Sequence, residues 1–215
     1  MIPEALGEAL AAVAPLVAHA KGRRLLVGIA GPPGAGKSTL ATALAAELRR
    51  RHGAHAAVAV PMDGFHLANA ELERLGLANR KGAPETFDAA GFVHLLRRLR
   101  AADETVYAPA FNRTLNEAVA GAVPVPPQVC VVVLEGNYLL LRKEPWSRVR
   151  PLLDLAVYLE APERARTPTL LRRQRSRGLT EAAAREWVNG SDAANARIIA
   201  GTRKLADIVL TRSGA

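Results

Sequence analysis

With 215 residues, 49% of them hydrophobic, the chain suits one α/β domain with a single substantial core better than two domains. A formal charge of +9 raises nucleic acid as a partner, yet the arginines concentrate between Arg164 and Arg177, too short a track for a duplex and better suited to closing over one polyanion. The single cysteine excludes an intrachain disulfide, and Cys130 within Val129-Cys130-Val131-Val132-Val133 reads as an inert, buried strand residue in a reducing compartment.

Met1 to Ala20 carries Glu4, Glu8 and Pro15 without a basic leader, so it reads as an amphipathic helix on Ile2, Leu6, Leu10, Val13 and Val17 and not as a secretory signal. The apolar run Leu25 to Ala30 then enters Gly31-Pro32-Pro33-Gly34-Ala35-Gly36-Lys37-Ser38, a full G-x-x-x-x-G-K-[ST] loop, and Thr39 opens a helix striped with Leu40, Leu44 and Leu48. Such a loop turns backbone N–H groups around a polyphosphate. Lys37 would bridge the β- and γ-phosphates, and the Ser38 hydroxyl would ligate Mg²⁺. The loop therefore predicts a nucleoside triphosphate, with residues 31–39 as its binding segment.

Gly53 is a plausible helix stop, and the short strand Ala56 to Val60 leads into Met62-Asp63-Gly64-Phe65-His66. Asp63 thus falls at a strand's carboxyl end, the edge where open parallel sheets hold their ligands. Asp88 to Arg100 reads as a helix, with Arg97, Arg98 and Arg100 on solvated faces or ends, as with Arg49, Arg50 and Arg51. Thr105 to Phe111 and Val119 to Val125 predict a hairpin around Arg113 to Glu117, with Pro109 confining the first strand to an edge.

Val129 to Leu134, ending at Glu135-Gly136-Asn137, and Leu153 to Leu159 read as strands buried on both faces. Ala118 to Leu134 is the longest uncharged stretch, but Pro124, Pro126 and Pro127 argue against a membrane helix, so a cytoplasmic chain with no membrane partner is expected. Helices are expected over Glu163 to Arg177, Glu181 to Asn189 and Asp192 to Lys204, before a last strand from Ala206 to Leu210. This alternation predicts a parallel sheet of about five strands with helices on both faces.

Several nucleotide-binding classes lack their parts here. There is no Asn-Lys-x-Asp guanine reader, no Leu-Ser-Gly-Gly-Gln, and no strand ending in paired Asp-Glu. The loop, Asp63-Gly64-Phe65-His66, Pro84-Glu85-Thr86-Phe87-Asp88, Tyr107-Ala108-Pro109-Ala110-Phe111, Leu134-Glu135-Gly136-Asn137, the arginines before Gly178 and Ala206-Asp207-Ile208-Val209 occur in an informative order. Together they resemble the uridine kinase, phosphoribulokinase and bacterial pantothenate kinase superfamily, and within it the short bacterial proteins called nucleoside/nucleotide kinase-like or fructose-transport-system kinase.

The resemblance implies one P-loop kinase domain over residues 1–215, with a hairpin appendage at about 105–127 and an Arg-rich lid at about 163–190. It implies ATP and Mg²⁺ as cofactors and a small-molecule hydroxyl as acceptor. Asp63 matches the acid that accepts the hydroxyl proton, and Glu135 the carboxylate that holds Mg²⁺ or its water, so Ser38, Asp63 and Glu135 form the implied metal set. Arg173 and Arg177 match the lid arginines, with Arg172 and Arg175 as register alternatives, although the Asp that usually follows is absent. Lys37, Asp63, Glu135, Arg173 and Arg177 are the implied catalytic group.

Glu85 matches an acid near the ribose hydroxyls of uridine kinases and Phe111 an aromatic near the base, while His66 and Arg113 are further acceptor-side residues. The hairpin histidine of uridine kinases is not evident. These residues favour a neutral nucleoside or sugar, with Arg113 as the counterargument because it could pair with a phosphate or carboxylate. A pantothenate-like acceptor is the rival within the class, and a regulatory or nucleic-acid-binding ATPase the rival outside it. Trp187, Asp192 and Asn195 fall near the lid or nucleotide edge, with packing the stronger reading for Trp187. A homodimer is an allowed assembly.

Overall fold

The computed structural model describes residues 2–212. Its helices are α1 (Ile2–His19), α2 (Lys37–His52), α3 (Asn69–Arg74), α4 (Ala89–Ala101), α5 (Glu163–Ser176), α6 (Glu181–Trp187) and α7 (Ala193–Ala200). Its strands are β1 (Leu25–Ala30), β2 (Ala57–Pro61), β3 (Val106–Asn112), β4 (Glu117–Val125), β5 (Val131–Glu135), β6 (Leu155–Glu160) and β7 (Ile208–Thr211). Five strands form one parallel sheet in the order β2-β5-β1-β6-β7, and β3 pairs with β4 as a separate antiparallel hairpin.

The central strands are apolar throughout because both of their faces are covered. Along β1, Leu25, Val27 and Ile29 join the cluster that contains Leu40, Leu44 and Leu48 of α2 and Ala9 and Val13 of α1. Leu26 and Ala30 point the other way, into the cluster with Phe92, Leu96 and Leu99 of α4. The same period of two sends Val131 and Val133 of β5 to the first cluster and Val132 and Leu134 to the second. Helix α4 starts at Asp88, whose carboxylate accepts from Gly91 N at 2.7 Å.

The hairpin bears on the turn at Met62–Phe65 that follows β2. Gly64 is required there, since a Cβ at that position would lie 2.3 Å from the Pro109 carbonyl oxygen of β3. Pro109 itself marks a register break between Ala108 and Ala110, as expected for a residue that cannot donate to a ladder.

Two expectations need correction. Strand β5 begins at Val131, so Cys130 lies in the turn before it, exposed, with Sγ 3.5 Å from the Gln128 carbonyl oxygen. Arg100 is not a solvated helix end. It donates to Arg24 O at 2.7 Å and Leu152 O at 2.6 Å, and pairs with Asp154 at 2.8 Å.

Beside it, Arg24 is only 2% exposed and donates to the carbonyls of Val129 (2.8 Å), Leu99 (2.9 Å) and Pro126 (2.6 Å). One guanidinium thus joins the end of α4, the exit from the hairpin and the entry to β1. Arg24→Met should keep the volume but remove these charge-assisted bonds, lowering unfolding free energy by about 3 kcal/mol in a urea titration. A loss under about 1 kcal/mol would remove Arg24 from the framework.

Candidate active site

The loop of residues 31–36 lies at the carboxyl edge of the sheet, between β1 and α2. Gly31, at φ 153°, brings its backbone so close to β6 that a Cβ would meet the Leu159 carbonyl oxygen at 2.4 Å. Helix α2 is capped by Gly36 in a left-handed conformation with no side-chain acceptor, so its first turn presents N–H groups and the positive end of the helix. Lys37 Nζ reaches back to Pro32 O at 3.0 Å and across to Asn137 Oδ1 at 2.7 Å.

Strand register brings the carboxylates to the same edge. Glu135 pairs with Ile29 of β1 and Pro61 of β2, and Asp63 follows Pro61 by one turn. Glu135 is 6% exposed and accepts from Ser38 Oγ at 2.8 Å. Burial, then the neighbouring Asp63 charge, push the Glu135 carboxyl above its ordinary range. Burial also opposes charge on Asp63, but His66, Arg173 and Lys37 outweigh it and hold the Asp63 carboxyl low, with Arg173 at 3.9 Å. Burial brings the Lys37 ammonium down to about 8. Two adjacent carboxyls are thus driven in opposite directions by their surroundings, the pattern of sites that divide proton-handling roles.

These groups open into one cavity of about 640 Å³. It is lined by Pro33, Gly34 and Gly36 to Thr39 of the phosphate loop, by Asp63 and Glu135, by Arg172, Arg173 and Arg177, and by His66, Phe111 and Arg113. Glu85 does not line it; the carboxylate is held by Arg80 at 2.5 Å on the turn Pro84–Thr86. Arg175 is likewise engaged elsewhere, 3.5 Å from Glu181. The imidazole of His66 stacks on Phe87 at 4.0 Å and lies 5.0 Å from Phe111, with its Nδ1 buried and, among the described residues, without a hydrogen-bond partner.

The pattern of the phosphoribulokinase / uridine kinase family matches residues 26–215. The chain belongs to this family. A candidate uridine kinase from Schizosaccharomyces pombe is 36% identical over 195 residues, covering 87% of this chain and 83% of that protein. A pantothenate kinase from Mycolicibacterium vanbaalenii is 33% identical over 136 residues, which are 63% of this chain and 43% of that longer enzyme. Among solved structures, a candidate fructose transport system kinase from Silicibacter sp. TM1040 superposes with a TM-score of 0.80 at 41% identity, covering 91% of this chain and 98% of the other. As a member of this kinase family the chain is an ATP-dependent phosphotransferase with a small-molecule substrate.

Sequence reasoning missed several polar cavity residues of this kinase. Asn137 holds Lys37, Lys81 lines the cavity 5.2 Å over the Phe111 ring, and Arg212 donates to Gly34 O at 3.3 Å. Asn137 alone had a local signal, its place two residues after Glu135 in Glu135-Gly136-Asn137. Trp187, expected in the core, is instead half-buried at the cavity wall with the Arg177 guanidinium 5.6 Å over its ring.

Burial, only partly offset by Asp63, lowers the His66 imidazole from 6.5 to about 4. Between those pH values the unfolded chain binds a proton that the folded chain does not, so stability contributed here rises with pH across the window and is lost as pH falls toward 4. His66→Phe should flatten this part of the stability profile in urea titrations at stepped pH. Equal slopes for both proteins would show that His66 is not the titrating group.

Proposed function

We propose that this kinase transfers the γ-phosphoryl group of ATP, with Mg²⁺, to a hydroxyl of a small polyol of the sugar or nucleoside class. The observation that carries the reading is Asp63, an ionised carboxylate held at the end of β2 in the same cavity as the phosphate loop and Lys37.

The residues fit the triphosphate and its metal on their own terms. The start of α2, which has no side-chain cap, and Lys37 suit the phosphates, while Glu135, buried with a hydroxyl partner and, among the described residues, no cation in a salt bridge, suits a hard cation or its waters. Ser38, Asp63 and Glu135 would hold the metal. The bound metal would supply charge neutralisation and a fixed phosphate geometry.

The chain's own groups account for the rest. Phosphoryl transfer has a largely dissociative transition state, so orientation and electrostatics dominate. Asp63 orients the acceptor hydroxyl and takes its proton, and the Arg173 guanidinium beside it offsets negative charge at the transfer point. Helices α5 and α6, as a lid over residues 163–190, restrict water there when acceptor and nucleotide are both present.

Asp63→Asn should leave affinity for a non-hydrolysable ATP analogue within about twofold while cutting phosphorylation on the order of 100- to 10,000-fold. Calorimetric binding beside coupled ADP release over a polyol panel reads both quantities. A parallel fall in binding, turnover and melting temperature would make Asp63 structural.

A further inference from the structure

The cavity carries a cationic surplus that one nucleotide does not use. Its walls hold seven Lys and Arg side chains against three carboxylates, Asp63, Glu135 and Asp192. A magnesium-bound triphosphate brings roughly two negative charges, which leaves about two positive charges unmatched. Their placement is not uniform. Lys37 and Arg212 belong to the phosphate loop and Arg173 to the transfer point, whereas Lys81 and Arg177 act on His66, Lys81 lies over the Phe111 ring, and Arg113 faces Arg177 from the side of Asp63.

Lys81 and Arg177 are held by their own side-chain contacts, and Arg113 by the turn that carries it. Lys81 is 8% exposed, and its ammonium donates to Asn69 Oδ1 and to Asn116 O at 2.8 Å, lying 5.2 Å over the Phe111 ring. Two of its three N–H donors are spent on the protein, leaving one for a ligand. Arg113 stands on the hairpin turn, where Asn112 Oδ1 accepts from Thr114 N at 2.9 Å and Leu115 N at 3.0 Å. The same turn is pinned by Asn69 Nδ2 on Asn116 O at 3.2 Å. Arg177 is braced by Gln174 Oε1 at 2.9 Å and by the Trp187 ring.

Carboxylates reach these cations only at longer range. Glu117 acts on Lys81, Asp63 and Glu135 on Arg113, and Asp192 on Arg177. Repulsion opposes them, because Arg177 acts on Lys81, Arg113 acts on Arg177, and Arg173 acts on both arginines. Among the described residues none of the three cations has a carboxylate at salt-bridge distance. Pre-positioned, mutually repelling cations in a concave site are stabilised by an anion. The buried, unpartnered Nδ1 of His66 in the same wall adds a polar atom that the protein leaves unused.

The geometry points to an anion subsite formed by Lys81, Arg113 and Arg177, and therefore to an acceptor that carries a carboxylate or phosphate besides the hydroxyl that is phosphorylated. The acceptor half of this statement rests on the kinase reading above; the anion contact does not. It replaces the neutral acceptor expected from Glu85 and Phe111, since Glu85 is taken up by Arg80 outside the cavity lining.

The test is calorimetric titration of inorganic phosphate into the full chain saturated with a non-hydrolysable magnesium ATP analogue, so that the nucleotide phosphate positions are filled. One further phosphate per chain is expected, weakened at least tenfold in Arg113→Ala and in Lys81→Met. Lys81 is buried and its loss could disturb folding, whereas Arg113 is exposed and free of such packing, so the Arg113 variant carries the decision. No uptake by the wild type, or equal affinity in Arg113→Ala, would overturn the subsite while leaving the kinase reading intact. Failure of the analogue to bind would instead sink the kinase reading, and phosphate bound without it but lost in Arg113→Ala would keep the subsite. Malonate in place of phosphate ranks carboxylate against phosphate. ADP release from matched polyols, with and without a terminal phosphate or carboxylate, should favour the charged member at least tenfold in kcat/KM, and preference for the neutral member refutes the proposal.

Discussion

The register of the three strands β2, β5 and β1 at their carboxyl ends is the constraint on which the site depends. Pro61, Glu135 and Ile29 lie side by side, and Gly136 N closes the edge by donating to Ile29 O at 3.1 Å. That alignment puts Glu135 beside Ser38 at the start of α2 and brings the turn bearing Asp63 to the same edge. A slip of one residue would turn Glu135 to the opposite face of the sheet and replace it with an apolar neighbour. The valines and leucines that fill both faces of β1 and β5 therefore act on catalysis through position, because they specify one register.

Electrostatics then divides this edge into regions. Asp63 is stabilised as an anion by cations from three separate places, Arg173 of α5, Lys37 of α2 and Arg113 of the hairpin turn. Glu135 lies deeper and its charge is disfavoured until a cation is supplied. A low local dielectric strengthens every pair and equally penalises every unmatched group. The surplus of cations toward Phe111 is costly to the empty protein for the same reason, and natural cavities carry such a cost where a ligand relieves it.

Where chemistry depended on neighbours in sequence, it was legible. The phosphate loop, the Leu40-Leu44-Leu48 stripe, the all-apolar strands and the hairpin each follow from local pattern, and Asp63 could be placed because an acid directly follows a strand. Contacts between distant segments were not legible. Lys81 is buried by partners 12 and 35 residues away, and Arg212 reaches a carbonyl 178 residues away. Helix α3 has one buried residue, Leu72, and an Arg74–Glu71 pair on its outside, so it offers no apolar period. For Glu85 the family resemblance indicated a hydroxyl-binding position, but the nearby Arg80 competes for the same carboxylate.

The cavity walls around Lys81 also share anchors. The Gly82 carbonyl accepts from Tyr138 OH at 2.5 Å and from Asn195 Nδ2 of α7 at 3.2 Å, and Gly82 follows directly after Lys81. Between α6 and α7 the chain widens into a π-turn over Val188–Asp192, a geometry that adds one residue to the turn and re-aims Asp192 toward the cavity. Asp192 in turn meets Gln174 of α5 at 3.4 Å, and α5 carries Arg173 and leads into Arg177. The loop that holds Lys81 and the helix that carries Arg173 and leads into Arg177 are thus joined through Gly82, Asn195 and Asp192. An acceptor drawn to Lys81 and Arg113 would press on the same contacts that set the position of Arg173 over Asp63. Recognition of the acceptor and completion of the transfer point would then be parts of one mechanical unit instead of two independent events.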